Sequence, residues 1–134
     1  MIELADYGML AARFCLSAVF LYSGASKLLH WQDGIAEVSG LGLPWPELVL
    51  PLTIVVQLGA GLMVLLGIYP FVGALILLGF TGLATLMGHR FWTAQGEERR
   101  MKLTVSLEHF AIMGGFLLLM STGPGALSLD RLFS

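Results

Sequence analysis

The sequence contains little charge for its length. Only 12% of its 134 residues are charged, whereas soluble globular proteins carry about 25%. The formal net charge of −2 offers no basic surface that would attract nucleic acid. The shortage of charge therefore argues against a soluble domain and against a nucleic-acid-binding protein.

Motifs for covalent, nucleotide and metal chemistry are also lacking. Cys15 is the only cysteine, which excludes an internal disulfide and a CxxC redox pair, and we expect it to pack. No Walker loop, GxSxG motif or dinucleotide fingerprint is found. His89, Glu108 and His109 could supply two imidazoles and a carboxylate, but their spacing does not match the common metal-binding patterns. We therefore predict no metal, and the sequence assigns no catalytic residue.

Apolar residues dominate what is present. They make up 57% of the chain, and the mean hydropathy is +0.84. Four apolar runs cover residues 8–29, 47–67, 70–91 and 103–122, each near the ~20 residues that a helix needs to cross a bilayer. The pattern predicts an all-α fold, a single four-transmembrane-helix antiparallel bundle over residues 1–134.

The bundle has two ends, and positive charge distinguishes them. Side A is the end that holds the N-terminus and, after four spans, the C-terminal tail; side B is the opposite end. Most Lys and Arg residues fall on side B, namely Lys27, Arg90, Arg99, Arg100 and Lys102. Because positive charge favours the cytoplasmic side, we predict side B in the cytoplasm and both termini outside, in a bacterial cytoplasmic (inner) membrane.

Arg13 and Lys27 begin and end a polar stripe on one face of the first span. They are 14 residues apart, about 21 Å along a helix, so one small ligand does not reach both. An unpaired Arg in lipid is costly. We expect Arg13 to snorkel or to form a structural ion pair at side A, with Asp130 of the tail or with Asp6. The alternative is that it holds an anionic or quinone-like group.

The candidate ligand-binding residues lie between the membrane centre and side B. Lys27 and Glu108 are predicted at similar depth and could pair, with His89 near the same level. Gln57 lies near the middle of the second span, where its amide must find partners. Either it forms an interhelical hydrogen bond, or it binds the carbonyl of a ligand. Phe20 and Gly24 would form the wall of the bundle next to it.

Several segments together resemble the DoxX family of small four-helix membrane proteins. The first span matches the family pattern with Arg13, Phe20, Gly24 and Lys27. Further matching segments are residues 42–44 (GLP), 57–61 (QLGAG), 89–92 (HRFW) and 123–130 (GPGALSLD). Two positions depart from the pattern. Gln57 stands where many relatives carry a glutamate, which removes a proton-transfer role there, and residues 108–110 read EHF in place of FKN.

The resemblance implies a function in membrane redox chemistry. The family is similar to the small subunit of thiosulfate:quinone oxidoreductase, and its members are linked to redox assemblies and oxidative stress. A quinone or another lipophilic carbonyl compound is therefore the leading ligand class, with a quinone as the possible cofactor. Besides the lipid bilayer, a redox protein or a second copy of the chain is the expected partner. The sequence has no electron carrier of its own, so a stand-alone oxidoreductase is not expected. The alternative is a small-molecule or lipid carrier, or an anchor or scaffold for a partner enzyme.

Overall fold

The computed structural model describes residues 2–88 and 90–132. Within these ranges the chain forms helices and turns and no strand. The helices are α1 (Leu4–Leu29), α2 (Trp31–Gly40), α3 (Pro46–Leu66), α4 (Pro70–Gly88), α5 (Gly96–Thr122) and α6 (Leu129–Leu132), with a 3₁₀ turn at Phe91–Thr93. The helices α1, α3, α4 and α5 are long and apolar enough to cross a bilayer. The predicted all-α bundle with four membrane helices is confirmed.

Proline and glycine set the bounds of the central pair of helices. Pro46 occupies the first turn of α3, where a missing N–H costs nothing because it has no partner within the helix. Gly67 ends α3 with φ 73°, a left-handed conformation that glycine adopts without steric strain. Pro70 begins α4 directly afterwards. The two helices therefore form a tight antiparallel pair.

Small residues let the helices approach closely. The helix α3 lies between α1 and α4, and α5 packs against α4. A Cβ atom on Gly73 of α4 would lie 3.1 Å from the Ala60 carbonyl oxygen of α3. A Cβ on Gly115 of α5 would lie 2.8 Å from Leu16 Cδ2 of α1. In lipid, where helices associate through packing, such contacts stabilise the bundle.

Aromatic side chains fill the interior near the middle of the bundle. Phe20 of α1 lies 5.7 Å from Phe116 of α5 and 6.4 Å from Phe80 of α4, measured between ring centroids. Large apolar side chains also cover the outer faces, for example Tyr22 and Phe110, which are 77% and 74% exposed. Outward apolar groups suit a lipid environment, which is as apolar as the side chains.

Two segments expected to be connections are helical instead. The helix α2 forms within the link between the first two spans, and its Gly34 packs against Leu50 of α3, with 2.8 Å between an ideal Cβ and Leu50 Cδ1. The helix α5 begins at Gly96 rather than at residue 103. Charged pairs one turn apart support this polar start: Glu98 with Lys102 at 2.9 Å, and Glu97 with Arg100 at 3.5 Å.

Candidate functional site

Arg13 is completely buried at side A, where it binds backbone carbonyls. Its Nη1 donates to the carbonyl oxygens of Val64 at 3.2 Å and Leu65 at 2.8 Å, and its Nη2 donates to that of Leu127. The carbonyls of Val64 and Leu65 belong to the last turn of α3, whose carbonyls have no partner within the helix. A cation also suits the negative end of a helix dipole. Arg13 therefore caps α3 and joins it to the C-terminal tail.

Two carboxylates complete this connection, and each accepts from a backbone N–H. Asp130 Oδ2 accepts from Tyr69 N at 2.8 Å, just before α4 begins. Asp6 Oδ1 accepts from Ala126 N at 2.9 Å, and Asp6 Oδ2 accepts from Glu3 N at 2.8 Å. We call Arg13, Asp6 and Asp130 the tail clamp, because together they fasten residues 126–130 to α1, α3 and the start of α4.

The expected ion pair between Arg13 and Asp130 is not among the salt bridges of residues 2–88 and 90–132. Arg13 does contact the tail, but its guanidinium donates to backbone carbonyl oxygens. The Asp130 carboxylate accepts from the Tyr69 N–H instead. The physical reason is that the turn between α3 and α4 leaves both kinds of backbone group without helical partners. Arg13 therefore binds the free carbonyls, and Asp130 binds the free N–H.

A second polar network joins α1 and α3 toward side B. Lys27 Nζ donates to Ser23 Oγ at 2.7 Å, and Gln57 Nε2 donates to the same oxygen at 3.2 Å. Gln57 is only 5% exposed, and its Oε1 has no hydrogen-bond partner among the described residues. A buried amide oxygen without a partner is costly. A ligand or a water molecule would supply the partner that Gln57 Oε1 lacks.

The assignment of the Gln57 amide does not change this conclusion. Oxygen and nitrogen of an amide are placed from the hydrogen bonds they make. If the amide is rotated, Ser23 accepts from Lys27 and donates to Gln57 Oε1, and the Gln57 NH₂ group then takes the position that lacks a partner. In both arrangements one end of the buried amide is available, either as an acceptor or as a donor.

A cleft opens beside this network, between α1 and α2. Its volume is about 230 Å³, and we call it the side-B cleft. It is lined by polar and charged residues from the last turns of α1 and from α2: Tyr22, Ser23, Ser26, Lys27, His30, Asp33, Gly34 and Glu37. Ser23 and Lys27 belong both to the network and to the lining, so the cleft is linked to the buried Gln57 through the Ser23 hydroxyl.

Phe20 and Gly24 lie next to the network, as the wall of the bundle. A Cβ on Gly24 would lie 2.8 Å from Leu58 Cγ and 3.3 Å from Gln57 Cβ, so the absence of a side chain there brings α1 and α3 together. Phe20 is buried one turn deeper in the aromatic cluster with Phe80 and Phe116. Its ring is not among the residues that line the cleft.

Glu108 is not part of this arrangement in the part of the chain that the structure describes. Glu108 is exposed on α5, and no salt bridge among the described residues joins it to Lys27, because α5 packs mainly against α4. His89 lies outside the described residues. The neighbouring His109 contacts α4, with 2.8 Å between its Nδ1 and Thr85 Oγ1. No group of three His, Cys, Asp or Glu residues in the described ranges could hold a metal ion.

Sequence reasoning missed Ser23 and the acidic face of α2. Ser23 stands one turn before Lys27, so the i, i+4 spacing in α1 could have shown that the two side chains meet. Asp33 and Glu37 also have this spacing, but it gains meaning only once α2 is known to be a helix. The two i, i+4 spacings could therefore be read from the sequence. The hydrogen bond that joins Ser23 of α1 to Gln57 of α3 could not.

The segment that holds the side-B cleft is similar to known proteins. The family model of DoxX matches residues 8–90, which include Lys27, Gln57 and the whole side-B cleft. The chain belongs to the DoxX family. Asp130 of the tail clamp and the Leu127 carbonyl that Arg13 binds lie outside the matched segment of this family member.

Two relatives from Escherichia coli K12 are similar over nearly the whole chain. The inner membrane protein YqjF is 35% identical, over 98% of this chain and 96% of the relative. The inner membrane protein YphA is 29% identical, over 92% of this chain and 88% of the relative. No solved structure matches this chain. With its four membrane helices, the DoxX-family chain is an integral membrane protein in contact with the lipid bilayer.

Proposed function

We propose that this DoxX-family protein binds a lipophilic carbonyl compound of the quinone class between α1 and α3, as a subunit of a redox-linked assembly in the bacterial inner membrane. The observation that carries the proposal is the Gln57 amide. It is 5% exposed, it is tied through Ser23 to Lys27, and one of its polar atoms has no partner among the described residues.

The residues of the network have complementary roles toward such a ligand. Lys27 carries three N–H donors and uses one on Ser23, so it can donate to a ligand carbonyl from the side-B cleft. The Gln57 amide supplies the second polar contact, as acceptor from a ligand hydroxyl or as donor to a carbonyl. Phe20 is buried in the aromatic cluster and would form the apolar inner wall next to the ring of such a ligand. His89 is retained as a predicted contributor, whereas the exposed Glu108 has no role in this proposal.

The chain shows no electron carrier in its sequence, so redox chemistry requires a partner protein. The proposed contribution of this chain is to bind and orient the lipophilic compound near side B. Lys27 stands in the last turn of α1, which places the polar end of a bound ligand near the membrane surface. A redox partner would then meet the ligand at side B.

The test is to extract ligand from protein purified in mild detergent. Wild type, Lys27→Ala and Gln57→Leu are compared by mass spectrometry of the extract and by titration with a short-chain ubiquinone analogue. We expect wild type to bind the analogue and both variants to bind it about tenfold more weakly, because each loses a hydrogen bond in a buried site. Lys102→Ala and Gln95→Leu are matched controls that lie away from the cleft and should bind as wild type does.

The proposal is contradicted if wild type carries no lipophilic carbonyl compound and also fails to bind the added analogue. It is equally contradicted if Gln57→Leu binds the analogue as tightly as wild type. Recovery of a phospholipid alone from the site would instead support a lipid carrier, and recovery of a partner chain alone would support an anchor.

A further inference from the structure

Opposite charges line the two walls of the side-B cleft. Lys27 and His30 come from the end of α1, and Asp33 and Glu37 come from α2. The two acids are one helical turn apart, so their carboxylates project from the same face of α2. In a formal charge count that takes histidine as neutral, the lining carries one cation and two anions.

These charges do not neutralise one another directly. In the described residues, the salt bridges are confined to α5 and none joins Lys27 to Asp33 or Glu37. The reason is local, because Lys27 Nζ bends back toward Ser23 at 2.7 Å. The cleft therefore presents a separated cation and a pair of anions across about 230 Å³ of open space.

The cleft also lies where a membrane lipid can enter it. Lys27 is in the last turn of the first membrane helix, and α2 follows that helix directly. Tyr22, which lines the cleft, is 77% exposed on the outer face of α1. Apolar side chains flank it on that face, including Val19 at 52% and Leu29 at 79% exposed. Acyl chains could thus run along α1 while a headgroup occupies the cleft.

We propose that the side-B cleft binds the headgroup of a zwitterionic phospholipid with a primary ammonium group, that is, phosphatidylethanolamine. The ammonium lies between Asp33 and Glu37, and the phosphate accepts from Lys27. This goes beyond the proposed function, because the occupant is a bilayer lipid at the mouth of the site. Lys27 has donors for both occupants, since only one of its three N–H groups is bound to Ser23.

The chemistry of the two walls determines which headgroup fits. A primary ammonium has three N–H donors and forms charge-assisted hydrogen bonds with carboxylates. The quaternary ammonium of phosphatidylcholine has no N–H and makes only a Coulombic contact. Phosphatidylglycerol brings a phosphate and no cation, so the two carboxylates repel it. The expected order of binding is ethanolamine, then choline, then glycerol.

The experiment is native mass spectrometry of the full-length protein after incubation with equal amounts of the three lipids. We expect wild type to retain phosphatidylethanolamine about tenfold over phosphatidylcholine, the difference expected from one charge-assisted hydrogen bond. In Asp33→Asn/Glu37→Gln this ratio should fall to about one. The control Glu97→Gln/Glu98→Gln removes two acids from the exposed start of α5 and should keep the wild-type ratio.

Asp33 stands in the first turn of α2 and can support the helix through its dipole. The single variant Glu37→Gln therefore serves as a second test that leaves this acid in place, and it should lower the ratio by a smaller factor. Equal retention of the three lipids by wild type overturns the proposal, and so does an unchanged ratio in the double variant. Gln57→Leu changes a residue outside the cleft lining and should keep the wild-type lipid ratio, so loss of lipid selectivity is distinguishable from loss of the proposed function.

Discussion

The two ends of the bundle use buried polar groups in opposite ways. At side A, Arg13 donates to three carbonyls and Asp130 accepts a backbone N–H. Toward side B, Lys27 has donors left over beside an open cleft, and its network ends at Gln57 near the membrane centre, which keeps one atom without a partner among the described residues. Each end has a cation on α1. Arg13 binds the backbone carbonyls of other segments, whereas Lys27 lines an open cleft.

The difference shows how to separate structure from binding in a small membrane protein. Arg13 is as polar as Lys27 and more deeply buried, so polarity and burial alone would single out the wrong residue. What distinguishes them is the destination of their hydrogen bonds. Arg13 satisfies backbone groups that would otherwise be orphaned, apart from its Nε, which has no partner among the described residues. The hydrogen bonds of Lys27 lead instead through Ser23 to the Gln57 amide, whose Oε1 has no partner among the described residues.

The largest effect is expected from Arg13→Met at side A. This change leaves the carbonyls of Val64, Leu65 and Leu127 without their donor, and each unsatisfied buried group costs ~1–3 kcal/mol. The free energy of unfolding should therefore fall by about 3 kcal/mol or more. Unfolding in detergent with increasing SDS measures it. Arg99→Met, on an exposed turn of α5, is the matched control, and equal stability of the two variants would show that the tail clamp does not stabilise the fold.

A smaller loss is expected from Gly67→Ala, at the end of α3. Gly67 has φ 73°, and an added Cβ would overlap Ser128 Cβ and lie 2.8 Å from Arg13 Nη1. The strained backbone and the displaced tail should cost roughly 1–3 kcal/mol. Gly59→Ala is the control, because Gly59 lies inside α3 with no atom within 4 Å of an added Cβ. Alanine there should be neutral or stabilising by up to about 1 kcal/mol. The account of side A would be wrong if the two substitutions had the same effect.

Side A was partly predictable from the sequence. A buried Arg one turn inside the membrane requires acceptors, and the tail was expected to provide them. The nature of the acceptors was not predictable, because backbone carbonyls at a helix end have no side-chain signature. Asp130 was the obvious partner for a cation, and only the turn at Gly67 and Tyr69 shows why it accepts an N–H instead.

At side B the sequence indicated how deep each residue lies in the membrane. It did not determine how each helix is rotated about its axis, and so which residues face one another. Lys27 and Glu108 were paired because they fall at similar depth, yet Glu108 is exposed on α5, which packs mainly against α4. Gln57 was identified as the buried amide near the membrane centre. Its link to Lys27 runs through Ser23, whose hydroxyl could equally bond its own helix backbone. Tertiary packing decided between these possibilities.

The smallest expected change in stability is the most informative, and it concerns Gln57→Leu. Leucine is similar in size to glutamine and removes a buried amide that is only half satisfied, so the free energy of unfolding should change by less than about 1 kcal/mol. The central claim is that Gln57 serves binding rather than folding. Measuring SDS unfolding and titration with the ubiquinone analogue on the same Gln57→Leu sample tests it directly. The account predicts retained stability with about tenfold weaker binding, whereas a stability loss like that of Arg13→Met, with binding unchanged, would contradict it.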